Sequence, residues 1–64
     1  MKNKLIKRLK EQYKLYLDNK SHAENYYINY LYGKVVMLED ILTEEYHVSD
    51  TCIENILSKI ERKQ

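Results

Sequence analysis

The chain has no proline and a single glycine, Gly33, and this restricts its fold more than any other feature. Proline and glycine punctuate strands and tight turns, so their near absence leaves few places for a hairpin to reverse. Lys, Leu and Glu, all good helix formers, fill the sequence instead. The expected fold class is all-α.

At 64 residues the chain is one domain at most. A chain this short buries only about 60% of the surface that it exposes when unfolded. Domains of that size gain the missing stability from disulfides, a structural metal or association. The lone cysteine, Cys52, rules out an internal disulfide. Zinc needs about four clustered ligands, and Cys52, His22 and His47 lack that spacing. Association remains, so the helices are predicted to complete a dimeric bundle. No cofactor or metal is expected.

Apolar periodicity divides residues 1–64 into three helices. Leu5, Leu9, Tyr13 and Tyr16, with Ile6 and Leu17 beside them, share one face of a helix over about 3–18. Asp18, Asn19, Lys20 and Ser21 form a polar break. Ser21 followed by Glu24 has the capping-box pattern and would open a second helix over about 22–46. Here Tyr27, Leu31, Val35, Leu38 and Leu42 form one stripe, and Tyr26, Tyr30, Met37 and Ile41 another. Ile28, Tyr32 and Val36 begin a third. A helix apolar around most of its circumference is normally buried on several sides. One short neighbour cannot cover it, so either the third helix or a second copy must help. Val48, Ser49 and Asp50 break the pattern again. Ser49 is a good N-cap, Val48 and Ile53 suit a hydrophobic staple, and Thr51 with Glu54 offers a competing capping box. Ile53, Ile56, Leu57 and Ile60 then mark an amphipathic helix over about 50–62. The architecture expected is a long central helix with one helix on either side.

No stretch approaches the roughly 18 apolar residues of a membrane span. Residues 1–10 are basic but lack the apolar core of a signal peptide. With one free thiol, the expected setting is the cytoplasm, away from membranes.

Charge is segregated along the chain although the net value is only +1. Residues 1–20 carry Lys2, Lys4, Lys7, Arg8, Lys10, Lys14 and Lys20 against Glu11 and Asp18. Residues 21–50 carry Glu24, Glu39, Asp40, Glu44, Glu45 and Asp50 against Lys34. A basic helix beside an acidic one suits mutual attraction in an antiparallel hairpin or dimer. Phosphate binding is the other use of such a basic segment.

Seven tyrosines stand in place of any Phe or Trp. Tyr26, Tyr27, Tyr30 and Tyr32 cannot all point inward from one helix. A tyrosine ring buries apolar area while its hydroxyl stays wet, which suits half-buried interfaces. Base stacking is less compatible with the acidic surroundings. The expected dimer or partner interface comprises Tyr26, Tyr30, Tyr32, Val36, Met37, Glu44 and Glu45.

Residues 41–57, from Ile41 to Leu57, resemble the helix-turn-helix signature of bacterial and phage regulators. Leu42, Tyr46, Val48, Ile53 and Ile56 sit where that signature places the apolar residues joining its helices. Val48-Ser49 matches the pair that opens its recognition helix. His47 stands where the signature usually has glycine, at a position favouring left-handed backbone. The resemblance implies DNA contacts from Thr51 and Asn55, with Lys59, Arg62 and Lys63 available to phosphates. Asp50 and Glu54 would share that face, and carboxylates are repelled by phosphate. Tyr32-Gly33-Lys34 followed by Leu38-Glu39-Asp40-Ile41-Leu42 resembles the central helix of short helical proteins from phages and mobile elements of low-GC Gram-positive bacteria. That resemblance implies a regulator which binds another protein, including repressors.

Catalysis has little support in the residues. Cys52 and His47 lie five apart across a helix cap, which does not define a nucleophile–base pair. The leading expectation is a non-enzymatic homodimeric regulator of a transcription factor. Direct DNA binding by the third helix is the alternative.

Overall fold

The computed structural model describes residues 1–63 and contains three helices: α1 (Lys2–Asn19), α2 (Asn25–Glu45) and α3 (Asp50–Arg62). The fold class is all-α, with no strand among the described residues. Apolar residues from all three helices meet in one core, α2 contributing its leucine and valine stripe. Leu9 and Tyr13 of α1, Val35, Leu38 and Leu42 of α2, Val48 of the joint and Ile53 of α3 form a contiguous buried cluster. Leu5, Ile6, Tyr16, Leu17, Tyr46, Leu57 and Ile60 close around it. Leu9, Leu31, Val35 and Leu42 are almost fully buried. Each such side chain contributes roughly 1.5–3 kcal/mol relative to exposure.

α1, not the longer α2, is the helix that packs against both others. Away from their joint, α2 and α3 scarcely meet. The physical reason lies in α1's amphipathicity. Its apolar face is wide enough for two neighbours, with Leu5, Leu9, Tyr13 and Tyr16 flanked by Ile6 and Leu17. The arrangement leaves one side of α2 uncovered by this chain.

The start of α2 departs from the capping-box expectation. The helix begins at Asn25, and Glu24 is its N-cap, with no side-chain hydrogen bond. Ser21 Oγ instead lies 3.4 Å from His22 Nδ1. The backbone N–H groups of Lys20, His22 and Ala23 all turn back to donate to α1 carbonyls, Tyr16 for the first and Asn19 for the other two. Residues committed to finishing one helix cannot also take the extended conformation that caps the next.

The joint between α2 and α3 follows the sequence closely. Ser49 is extended (φ −70°, ψ 153°), and its hydroxyl accepts from the Cys52 N–H at 3.1 Å. That bond leaves the competing Thr51/Glu54 box unused. Val48 and Ile53, on either side of the cap, are both in the core, as a hydrophobic staple requires. His47 has φ 56°, in the left-handed region that glycine enters most easily. The reversal carries the Val48 N–H back to the Leu42 carbonyl at 3.0 Å, which answers one of the open carbonyls at the end of α2.

Candidate functional interface

A helix turns 100° per residue, so positions opposite the Leu31–Val35–Leu38–Leu42 stripe define an outer face of α2. Tyr26, Asn29, Gly33, Asp40 and Glu44 lie along it, with Tyr30, Met37 and Ile41 on one flank and Val36 on the other. Exposure follows the geometry: Tyr26 is 82% exposed, Met37 56%, Tyr30 52% and Val36 36%. The apolar side chains are thus turned into solvent by the same rotation that buries the leucines. Such patches mark interaction sites more often than scattered single residues do.

Local contacts order part of this face. Tyr27 and Tyr30 stack with ring centroids 6.3 Å apart, and Lys34 Nζ sits 4.6 Å above the Tyr30 ring. A cation over an aromatic face holds the ring without drying it. Gly33 lies between Tyr30 and Met37, and a Cβ built there would meet nothing within 4 Å. Its backbone is not left-handed. Nothing within the chain therefore calls for glycine at a mid-helix position where alanine is favoured by up to about 1 kcal/mol.

Of the residues singled out in the sequence, Tyr26, Tyr30, Val36 and Met37 come together on or beside this face. Tyr32 does not. It is 49% exposed, beyond Val36 on the flank away from Tyr30, and its ring packs 5.3 Å from Tyr16 of α1. Glu44 and Glu45 are exposed in the last turn of α2, with Glu44 continuing the outer face. Thr51, Asn55, Lys59 and Arg62 are exposed on α3, and Lys63 is exposed at its C-cap. Asp50 and Glu54 are exposed with them.

Two features have no local signal in the sequence. The first joins the ends of the chain: the Tyr13 hydroxyl donates to Glu61 Oε1 across 48 residues. Burial, the hydrogen bond to Glu61 and that carboxylate's charge all hold the Tyr13 phenol well above its ordinary pKa. The second is a basic groove between α1 and α3. It consists of two adjoining hollows of about 300 and 160 Å³ that share Lys10, Ile60 and Lys63. Lys14 and Glu11 complete one hollow, Lys59 and Ile56 the other. Helical spacing alone shows only that Lys10 and Lys14 share a face, as do Lys59 and Lys63. Their meeting depends on α1 lying beside α3.

Glu39, half-buried near the end of α2, has its carboxyl pushed above the ordinary value by burial, then by Asp40 and Asp50. Cys52 is free and exposed. No group of three His, Cys, Asp or Glu side chains among the described residues is placed to hold a metal. None of the described helices is long and apolar enough to cross a membrane. Comparison with protein-family models, curated proteins and solved structures finds no match to this chain.

Proposed function

We propose that the chain is a non-enzymatic regulator that pairs with a second copy through the outer face of α2 and binds a protein of the transcription-factor class. One observation carries the pairing: exposed Tyr26, Tyr30, Val36 and Met37 on the side of α2 away from the core, around a glycine that the monomer does not need. A glycine lets a second backbone approach closely, while Tyr30 and Met37 on either side supply area to bury. Charge favours an antiparallel crossing at Gly33. It brings Asp40 opposite the partner's Tyr26 and Glu44 toward the N-terminal end of the partner's α2, where the helix dipole favours a carboxylate. A parallel crossing would set carboxylate against carboxylate. Tyrosine and methionine at the centre with charge at the end is the composition expected of a protein interface.

Sedimentation at low micromolar concentration tests the pairing. Wild type should sediment at twice the chain mass, and Met37→Glu should sediment as a folded monomer. A wild-type monomer with a cooperative melt sinks the proposal. So does a Met37→Glu dimer as tight as wild type.

A second reading is direct DNA binding by α3, and the joint is the observation that favours it. His47 takes the left-handed conformation and Ser49 caps α3, as the helix-turn-helix resemblance implies. Asp50 and Glu54 on the exposed side of α3 weigh against it. If DNA is the target, Asp50→Asn with Glu54→Gln should tighten duplex binding. If a protein is the target, the pair should leave duplex binding negligible near 150 mM salt, about physiological ionic strength.

A further inference from the structure

We propose that the groove between α1 and α3 docks an acidic, amphipathic helical segment of a partner protein. The inference rests on the reading of the chain as a protein-binding regulator, and it names where the partner sits and what chemistry it brings. It uses a surface separate from the outer face of α2.

The groove has a floor and two rims. Ile56 and Ile60, both half-buried, form the floor, and exposed lysines stand on each side. Lys10 and Lys14 rise from α1, and Lys59 and Lys63 from the end of α3. Glu11 is the carboxylate among the lining residues. Like charges spaced four apart on a helix repel each other, and here two such pairs face one another. Lys59 and Lys63 also answer the dipole at the end of α3. Lys10 and Lys14 lie well inside α1, where the dipole offers no such compensation. An anionic ligand lying along the groove would relieve both pairs together.

The floor decides which anion fits. A nucleic-acid backbone presents phosphate and sugar, and gains little from two isoleucines. A helix with apolar residues on one face and carboxylates along both edges matches the floor and the rims at once. Its apolar side chains cover Ile56 and Ile60, while carboxylates at i, i+4 spacing reach lysines on either side. The long lysine stems add apolar contact beneath their charged heads.

The test uses the full chain, isotope-labelled, titrated with a panel of helical peptides carrying leucine on one face and glutamate along both edges. Amide shifts should concentrate at Lys10, Lys14, Ile56, Lys59 and Ile60. The double variant Lys10→Glu/Lys63→Glu should fold normally by circular dichroism and bind at least tenfold more weakly. A panel with lysine in place of glutamate should bind that variant and not wild type, a charge swap that a merely structural effect would not produce. The control Lys2→Glu/Lys4→Glu should bind within twofold of wild type. The proposal is overturned if no acidic peptide shifts these residues. It is also overturned if the lysine variant binds as well as wild type, or if duplex DNA occupies the groove in preference to every peptide. Dissociation of the wild-type dimer by Lys10→Glu/Lys63→Glu would assign the groove to a second copy instead. Sedimentation of Met37→Glu reports separately on the pairing through α2, so either idea can fail alone.

Discussion

The two faces of α2 both carry large apolar side chains and have opposite fates. The inner face holds Leu31, Val35, Leu38 and Leu42, all buried. The outer face holds Tyr26, Tyr30 and Met37, all more than half exposed. What separates them is shape and polarity rather than hydrophobicity alone. Branched aliphatic residues interdigitate with α1, whereas tyrosine hydroxyls need water or a hydrogen-bond partner and methionine adapts to whatever covers it. One face is specified by this chain. The other is left open to solvent by this chain.

The sharpest way to break this contrast is to truncate one residue on each face. Leu42→Ala should cost about 2–5 kcal/mol, the range for a fully buried leucine, and in so small a domain should largely abolish the cooperative melt. Met37→Ala should leave the melt of the dilute monomer almost unchanged. Equal effects at the two positions, measured by thermal denaturation, would erase the distinction.

Tyr13 offers the next largest effect, because its buried hydroxyl binds a carboxylate. Tyr13→Phe should cost about 1.5–2 kcal/mol, the lower part of the range for a hydrogen bond to a charged group, because Glu61 is exposed. The pH dependence has a definite sign. The folded phenol holds its proton more tightly than the unfolded one, so its contribution is complete below pH 10 and falls as pH rises beyond it. Wild type should therefore lose melting temperature above pH 10 more steeply than Tyr13→Phe. Parallel curves would show that the bond to Glu61 contributes nothing.

Gly33→Ala sharpens the comparison from the outer side. The added methyl meets nothing in the monomer, so helix propensity alone should stabilise it by about 0.5–1 kcal/mol. The same methyl would push a crossing helix away, so the dimer should weaken while the dilute monomer melts higher. A variant that improves both would mean that Gly33 serves no contact.

Glu39→Gln gives the smallest effect. The carboxyl prefers its proton when folded, so ionisation at neutral pH opposes folding. Gln should raise stability at pH 7 by a few tenths of a kcal/mol, given the partial exposure of the group. The gain should vanish as pH falls below the ordinary carboxyl range. A loss of stability at pH 7 would reverse the assignment.

The features that the sequence reveals are those decided within a few residues. Ser49, Val48 and Ile53 set the start of α3 through one cap and one staple, and each is a local choice. The capping pattern at Ser21 and Glu24 is equally local, yet α1 overrides it by using the intervening N–H groups to finish its own last turn. The leucine stripe of α2 and the tyrosines and Met37 set apart from it show the rotation of the helix, while the apolar third stripe leaves the side that meets α1 open. Packing against α1 selects the leucine face, moves Tyr32 toward Tyr16 and leaves Gly33 facing outward. The lysine groove and the Tyr13–Glu61 bond depend on α1 meeting α3, and no spacing along the chain encodes that meeting.

The position of α1 as the helix that touches both others has a consequence for biosynthesis. Synthesis at about 5–20 residues per second delivers α1 first, with its apolar face unpartnered until α2 has emerged. The pairing of α1 with α2 can then form on the growing chain, since both helices are complete before α3 emerges. Glu61 reaches Tyr13 across 48 residues, so that lock closes only once α3 has left the ribosome. Until then the nascent hairpin displays the side of α1 that α3 finally covers, in addition to the outer face of α2.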